Sequence, residues 1–257
     1  MQQQRPEEAI DTIDAMTEEA QQDISSLQIK SQALFRLEKF DELRTYLDEE
    51  VQRAKSPEAY ILFSQAEARQ GNLDRAETIV REGLSTYSDS ETLYLSLFNT
   101  QIAQGKSEEA VATLEEARES AASSGYVRIL LANSYLQDRR REDAKAVLNS
   151  LREDNLLNDL AANNLAAIML ETGDDPAEAL SVAKRFEGTD QPFFADTLAW
   201  AHYRNGNLQD AKRYSDIAVA ADINNAEILY HHGIISAAVG ETAAARASLE
   251  KAVEAPG

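Results

Sequence analysis

Two residue types recur along this chain at a nearly constant interval, and they keep step with each other. Alanine stands at 76, 110, 144, 179, 211 and 245, so its spacing runs 34, 34, 35, 32 and 34. Glycine stands at 71, 105, 173, 206 and 240, each time five or six residues before one of these alanines. A third series, Ala117, Ala218 and Ala252, follows seven residues behind its partner. Fixed offsets among three series exclude a composition effect and require one structural unit copied along the chain. Such units bury their apolar faces against their neighbours rather than around one central core.

Each unit reads as two helices. In 91–124, a first apolar stripe with Leu93 and Leu97 runs to Gly105. Glycine there suits the left-handed residue that ends a helix. KSEEA then restarts a helix, with Ser107 expected as its N-cap and acids in the first turn. The second stripe is Ala110, Leu114 and Ala117, at i, i+4 and i+7. Small side chains at the alanine positions let helix backbones approach closely, and larger ones overpack at a cost of roughly 1–3 kcal/mol.

With these offsets the chain resembles the tetratricopeptide repeat (TPR) family, whose 34-residue units are antiparallel helix pairs. The units would be 24–56, 57–90, 91–124, 125–158, 159–191, 192–225 and 226–257. The last matches best, with Gly233, Gly240, Ala245 and Ala252 at the four signature positions. The resemblance implies an all-α chain, a right-handed α-solenoid of about seven TPR helix pairs in a single array over 1–257. An N-terminal half repeat over 6–23 opens it. There PEEAIDTIDAMTEEAQ reads as a second helix alone, with Ala9, Ile13 and Met16 on its inner face. An array that opens in mid-repeat, and closes without a polar covering helix, is expected to be part of a longer bacterial protein.

Some units depart from the pattern. Glu38, Leu43 and Glu50 replace Gly and the two Ala in 24–56. Arg139 and Leu151 do so in 125–158, while 159–191 carries one extra residue and Phe186 for an Ala.

TPR first helices line the concave face of their superhelix, and the resemblance carries two zones onto this chain. The ninth residue of the first four units is Gln32, Gln65, Asn99 and Asn133. A row of amides offers donors and acceptors to the backbone of an extended peptide. A plain solvated helix face is the alternative reading. In the second zone Phe193, Asp196, Trp200, Tyr203 and Arg204 share one helix face, with Tyr230 expected beside them. Trp, Tyr and Arg dominate binding hot spots, although the aromatics could instead pad a junction between units.

Other chemistry is sparse. With no Cys there is no disulfide, thiolate metal site or Cys nucleophile. His231 and His232 point about 100° apart on a helix and share no ion easily. His202 faces inward. None of the three has an obvious Ser or Asp/Glu arrangement for nucleophilic catalysis. The pairs Glu49-Glu50, Glu108-Glu109 and Asp174-Asp175 are expected at helix starts or on exposed faces, and Arg139-Arg140-Arg141 at a solvated turn. Neither a Gly-rich phosphate loop nor an HExxH segment occurs, so no catalytic residue, metal or cofactor is expected. No apolar window is long enough to span a membrane. Forty-five acids against 25 bases give a net charge of −20, which opposes nucleic acid and favours a partner with basic residues.

The leading reading is therefore a non-catalytic scaffold that binds a peptide or protein partner in its concave groove. The alternatives are an assembly module that self-associates through the array ends around Leu249 and Val253, or a regulatory portion of a larger envelope or enzyme system. The stretches LAANNLAAIMLETGDDPAEALSVAKRF and ADTLAWAHYRNGNLQDAKRYSDIAVAADINNAEILYHHG resemble the C-terminal repeats of long bacterial TPR proteins, many of them lipoproteins of exopolysaccharide and exosortase (PEP-CTERM) systems. That resemblance implies a periplasmic or envelope-associated place in preference to the cytoplasm. An Arg-rich basic set, 17 Arg to 8 Lys, agrees with it.

Overall fold

A computed structural model describes residues 5–21, 23–54, 56–120, 124–220 and 224–255. Among the described residues there are sixteen α-helices and one 3-10 turn, and no strand. Contacts divide the chain into two compact units, Met1–Ser134 and Tyr135–Gly257. The first holds α1 (Pro6–Asp14), α2 (Glu18–Gln21), α3 (Ile24–Arg36), α4 (Phe40–Ala54), α5 (Pro57–Arg69), α6 (Leu73–Thr86), α7 (Glu91–Ala103) and α8 (Ser107–Ser120). The boundary falls within α9 (Gly125–Gln137). The second unit continues with α10 (Arg141–Glu153), α11 (Asp159–Thr172), α12 (Pro176–Ala183), α13 (Pro192–Arg204), α14 (Leu208–Ala220), α15 (Ala226–Ala238) and α16 (Thr242–Glu254). Seven helix pairs thus follow α1 and α2. Within each unit the main contacts join helices that are next or next but one in sequence, which is α-solenoid stacking.

Local chemistry sets where these helices start. Ser56, Ser90, Asn158 and Asn225 accept hydrogen bonds from the third backbone N–H of α5, α7, α11 and α15. Pro57, Pro176 and Pro192 stand at the first helical position, where a missing N–H costs nothing. Ser107 does not cap α8: it is already helical, and the Lys106 carbonyl accepts the Ala110 N–H.

The turns within pairs share one geometry. Gly71, Gly105, Gly206 and Gly240 have φ between +75° and +84°. The N–H after each returns to the helix, as Lys106 to Gln101 O at 2.9 Å and Glu241 to Ser236 O at 2.8 Å. Glu38 and Arg139 keep that left-handed turn without glycine, at φ 57° and 59°, with Lys39 N–H to Leu34 O at 3.0 Å and Arg140 N–H to Tyr135 O at 2.7 Å. Packing on both sides therefore enforces the turn where its sequence signal is missing.

Side chains between the pairs form the core. Leu34, Leu43, Leu47, Val51, Ala59, Phe63 and Ile79 make one buried cluster in the first unit. Leu43, a departure from Ala, fills it. In the second unit the Phe186 departure is absorbed by a short α12: a 3-10 turn over Lys184–Phe186 follows it, and the Phe186 ring stacks on Phe194 at 4.6 Å. Charged staples join successive pairs. Glu77 meets Lys106 at 2.7 Å, Lys145 meets Asp174 at 3.0 Å, and Lys212 meets Glu241 at 2.9 Å.

Two further expectations are corrected. Residues 6–21 do not make one helix: α1 stops at Asp14, and Met16 lies in the break, 40% exposed. The Gln21 side-chain amide donates to the freed carbonyls of Asp14 and Met16, and Thr17 Oγ1 accepts the Ala20 N–H. Glu50 is not on an exposed face: it is buried and ion-paired to Arg53.

Candidate functional site

The four amides of the first zone are all exposed, as their helical register requires. The structure brings two of them together. Gln32 on α3 and Gln65 on α5 line one cleft of about 350 Å³, with Ile29, Phe35 and Arg69. The Arg69 guanidinium lies 5.5 Å from the Phe35 ring centroid, at cation–π range. Asn99 on α7 and Asn133 on α9 do not line this cleft.

The second zone is built by α11, α13 and α15, whose side chains enclose a cleft of about 240 Å³. Trp200 is its centre. Its ring lies nearly parallel to Tyr203, one turn on, with centroids 4.9 Å apart. It also lies nearly parallel to His231 on α15, at 4.1 Å, and tilted to Tyr230 at 6.4 Å. Stacking at these distances is worth about 0.5–1.5 kcal/mol per pair beyond burial, and it fixes ring orientation. Phe193, more than half exposed, stands on the cleft wall, and Tyr230 is exposed beside the stack. Arg204 is differently engaged: its Nη1 donates to the Leu170 carbonyl at 2.9 Å, in the last turn of α11.

Asp196 faces inward. It is buried, and its Oδ2 lies 2.9 Å from His231 Nδ1, so the Nδ1–H donates to the carboxylate. Its Oδ1 is buried with no hydrogen-bond partner. The cleft lining includes the acids Glu171, Asp196 and Glu227 and holds no Lys or Arg. Sequence reading placed Asp196 with Trp200 but missed the histidine link, which joins two residues 35 apart.

The neighbouring histidine corrects another expectation. His232 lies between Ser248 Oγ, 2.8 Å from its Nδ1, and Asp216 Oδ1, 3.1 Å from its Nε2. Serine, histidine and aspartate thus do meet. Ser248, however, sits in the middle of α16, where backbone N–H groups serve the helix ladder and none is free to stabilise an oxyanion. Lys212 Nζ also holds Asp216, at 2.6 Å and 2.8 Å. The arrangement ties α14, α15 and α16 together. His202 is separate: its ring stacks on Tyr214, and burial pushes its pKa down, favouring the neutral form. Among the described residues no three His, Asp or Glu side chains gather into a metal site, and no helix is long and apolar enough to cross a membrane.

Helix pairs stacked in sequence order, with clefts between successive first helices, define a helical-repeat protein. Family models described as tetratricopeptide repeat match residues 101–168 and 197–257, together half of the chain. The chain belongs to the tetratricopeptide repeat family. No curated protein sequence matches it. Solved structures with the same fold include YrrB, described as a TPR protein with an unusual peptide-binding site. It is 18% identical over 68% of this chain and 91% of its own, with a TM-score of 0.56. PilF of Pseudomonas aeruginosa is 19% identical over 77% and 90%, with a TM-score of 0.55. MamA of Desulfovibrio magneticus, from residue 41, is 16% identical over 65% and 96%, with a TM-score of 0.53.

Proposed function

We propose that the chain is a non-catalytic scaffold that holds an extended peptide, or a segment of a partner protein, against its first helices. The observation that carries this reading is the pair of clefts, at Gln32 and Gln65 and at Asp196 and Trp200, each opening between successive first helices. The peptide-binding description of YrrB supports the same reading. A net charge of −20 favours ligands with Lys or Arg, whose association weakens as salt screens the attraction.

The test is selection of random peptides on the immobilised chain, then titration of the selected peptides by fluorescence anisotropy. Enrichment in Lys or Arg is expected, with affinity that falls about tenfold between low and high salt. Trp200→Ala with Tyr203→Ala should weaken binding by a similar factor while helicity stays unchanged. Selected peptides that are acidic or indifferent to salt would overturn the reading, and equal binding by the double variant would remove the Trp200 cleft from it.

A further inference from the structure

Asp196 poses a chemical question that the stack around it does not answer. A carboxylate offers about four lone-pair sites, and a buried one left unsatisfied is costly. The side chain is nine-tenths buried on the wall of the second cleft. One oxygen is satisfied by His231, which Trp200 holds by stacking, and the other has no donor. Asn163, on α11 across the same cleft, also has a buried Oδ1 without a hydrogen-bond partner. Two unsatisfied acceptors thus stand on facing helices that line one cleft, each covered from solvent, with Glu227 also in the lining and no Lys or Arg there. Apolar surface from Leu170, Phe193 and Ile228 lines the same space and suits an alkyl stem.

We propose that this cleft is a subsite for one cationic side chain, the Lys ammonium or Arg guanidinium of a bound peptide, accepted by Asp196 Oδ1 and Asn163 Oδ1. The inference rests on the scaffold reading above and adds to it the residue type and the place. Trp200 acts here as a positioning residue: it orients His231, which in turn holds Asp196 with one oxygen toward the incoming cation.

Trp200 is the chain's single tryptophan, so its emission reports this cleft directly. The probes are blocked tripeptides Gly-X-Gly with X as Lys, Arg, norleucine or Glu, titrated against the full chain. Lys and Arg peptides should shift Trp200 emission saturably, and norleucine and Glu peptides should bind at least about tenfold more weakly. Asp196→Asn keeps an acceptor for His231 but turns an amide N–H₂ toward the cleft. It should weaken the Lys peptide about tenfold and leave the norleucine peptide unaffected. Asn163→Leu removes the second acceptor from outside the stack and should weaken Lys binding even if Asp196→Asn fails to fold. Equal binding of Lys and norleucine peptides overturns the cation subsite while peptide binding stands. So does an unshifted Lys affinity in both variants. If no tripeptide moves Trp200 emission but longer selected peptides bind elsewhere on the chain, the subsite is likewise overturned and the scaffold reading stands. Absence of any peptide binding overturns both.

Discussion

Gly233 should respond to alanine in opposite directions depending on one neighbour. It lies inside α15, and a Cβ built there would sit 2.6 Å from Leu249 Cγ and 2.8 Å from Leu249 Cδ2 on α16, with Ala245 O at 3.3 Å. Carbon atoms do not approach so closely, and Leu249 Cγ is too near its own backbone to swing clear. Two terms compete in Gly233→Ala. Alanine is favoured over glycine in a helix interior by about 1 kcal/mol. Forcing α15 and α16 apart costs roughly 1–3 kcal/mol. The clash wins, for a net loss of about 1 kcal/mol. With Leu249→Ala already present the clashing atoms are gone, and the same Gly233→Ala change should stabilise by about 1 kcal/mol. The coupling in the double-mutant cycle is then about 2 kcal/mol. Stability in a stacked repeat is read locally, so hydrogen exchange of the α16 amides, residues 242–254, is the measurement, with urea unfolding followed by Trp200 emission beside it. Stabilisation in both backgrounds would show that the helices are not in close contact at Gly233. Equal destabilisation in both would remove Leu249 as the partner.

Acid should unfold the first unit through its staples. Burial alone would raise the Glu77 carboxyl, but hydrogen bonds from Lys106 and Arg81 outweigh it and hold the pKa at about 2. Glu67 is likewise lowered: burial opposes the shift, and Arg44 and Asn72 overcome it. A carboxylate depressed in the folded state stabilises fully above its unfolded value of 4.5 and loses that stability as pH falls toward 2, by about 3 kcal/mol for Glu77. Urea midpoints at neutral and acid pH should therefore fall steeply below the carboxylate range, and Glu77→Gln should flatten the slope; an unchanged slope would refute the assignment. In the turn after α9, Arg139→Gly should stabilise by about 1 kcal/mol, because Arg139 holds φ 59° against its side chain. A lower melting temperature for that variant would mean that the arginine side chain contributes more than its backbone costs.

What the sequence could disclose follows the range of the interaction responsible. Helix starts depend on a cap or a proline within three residues, and helix ends on a left-handed residue, so both are readable from short windows. The break at Met16 escaped because the apolar spacing runs on through Thr17, and only the Gln21 amide, turned back onto two carbonyls, makes the stop affordable. Glu50 escaped for the opposite reason: an acid on a repeat's alanine position reads as exposed until Arg53 is seen to cover it.

Contacts between pairs form a third class, neither local nor unpredictable. Glu77 to Lys106, Lys145 to Asp174 and Lys212 to Glu241 each span 29 residues, from early in one second helix to the turn of the next pair. The sign is reversed in the first of these, with the acid preceding the lysine. Conservation of one residue type would therefore miss the rule, whereas opposite charges at a constant offset express it. Arg204 to the Leu170 carbonyl spans 34 residues, and His231 to Asp196 spans 35, the same neighbour relation on the first helices. In a stack where each pair touches the next, one repeat length is the shortest path between facing side chains. A search for complementary polar residues one repeat apart, rather than for motifs, is what would have paired Asp196 with His231. The same search has no partner to offer Asp196 Oδ1, the oxygen to which the proposed cation is assigned.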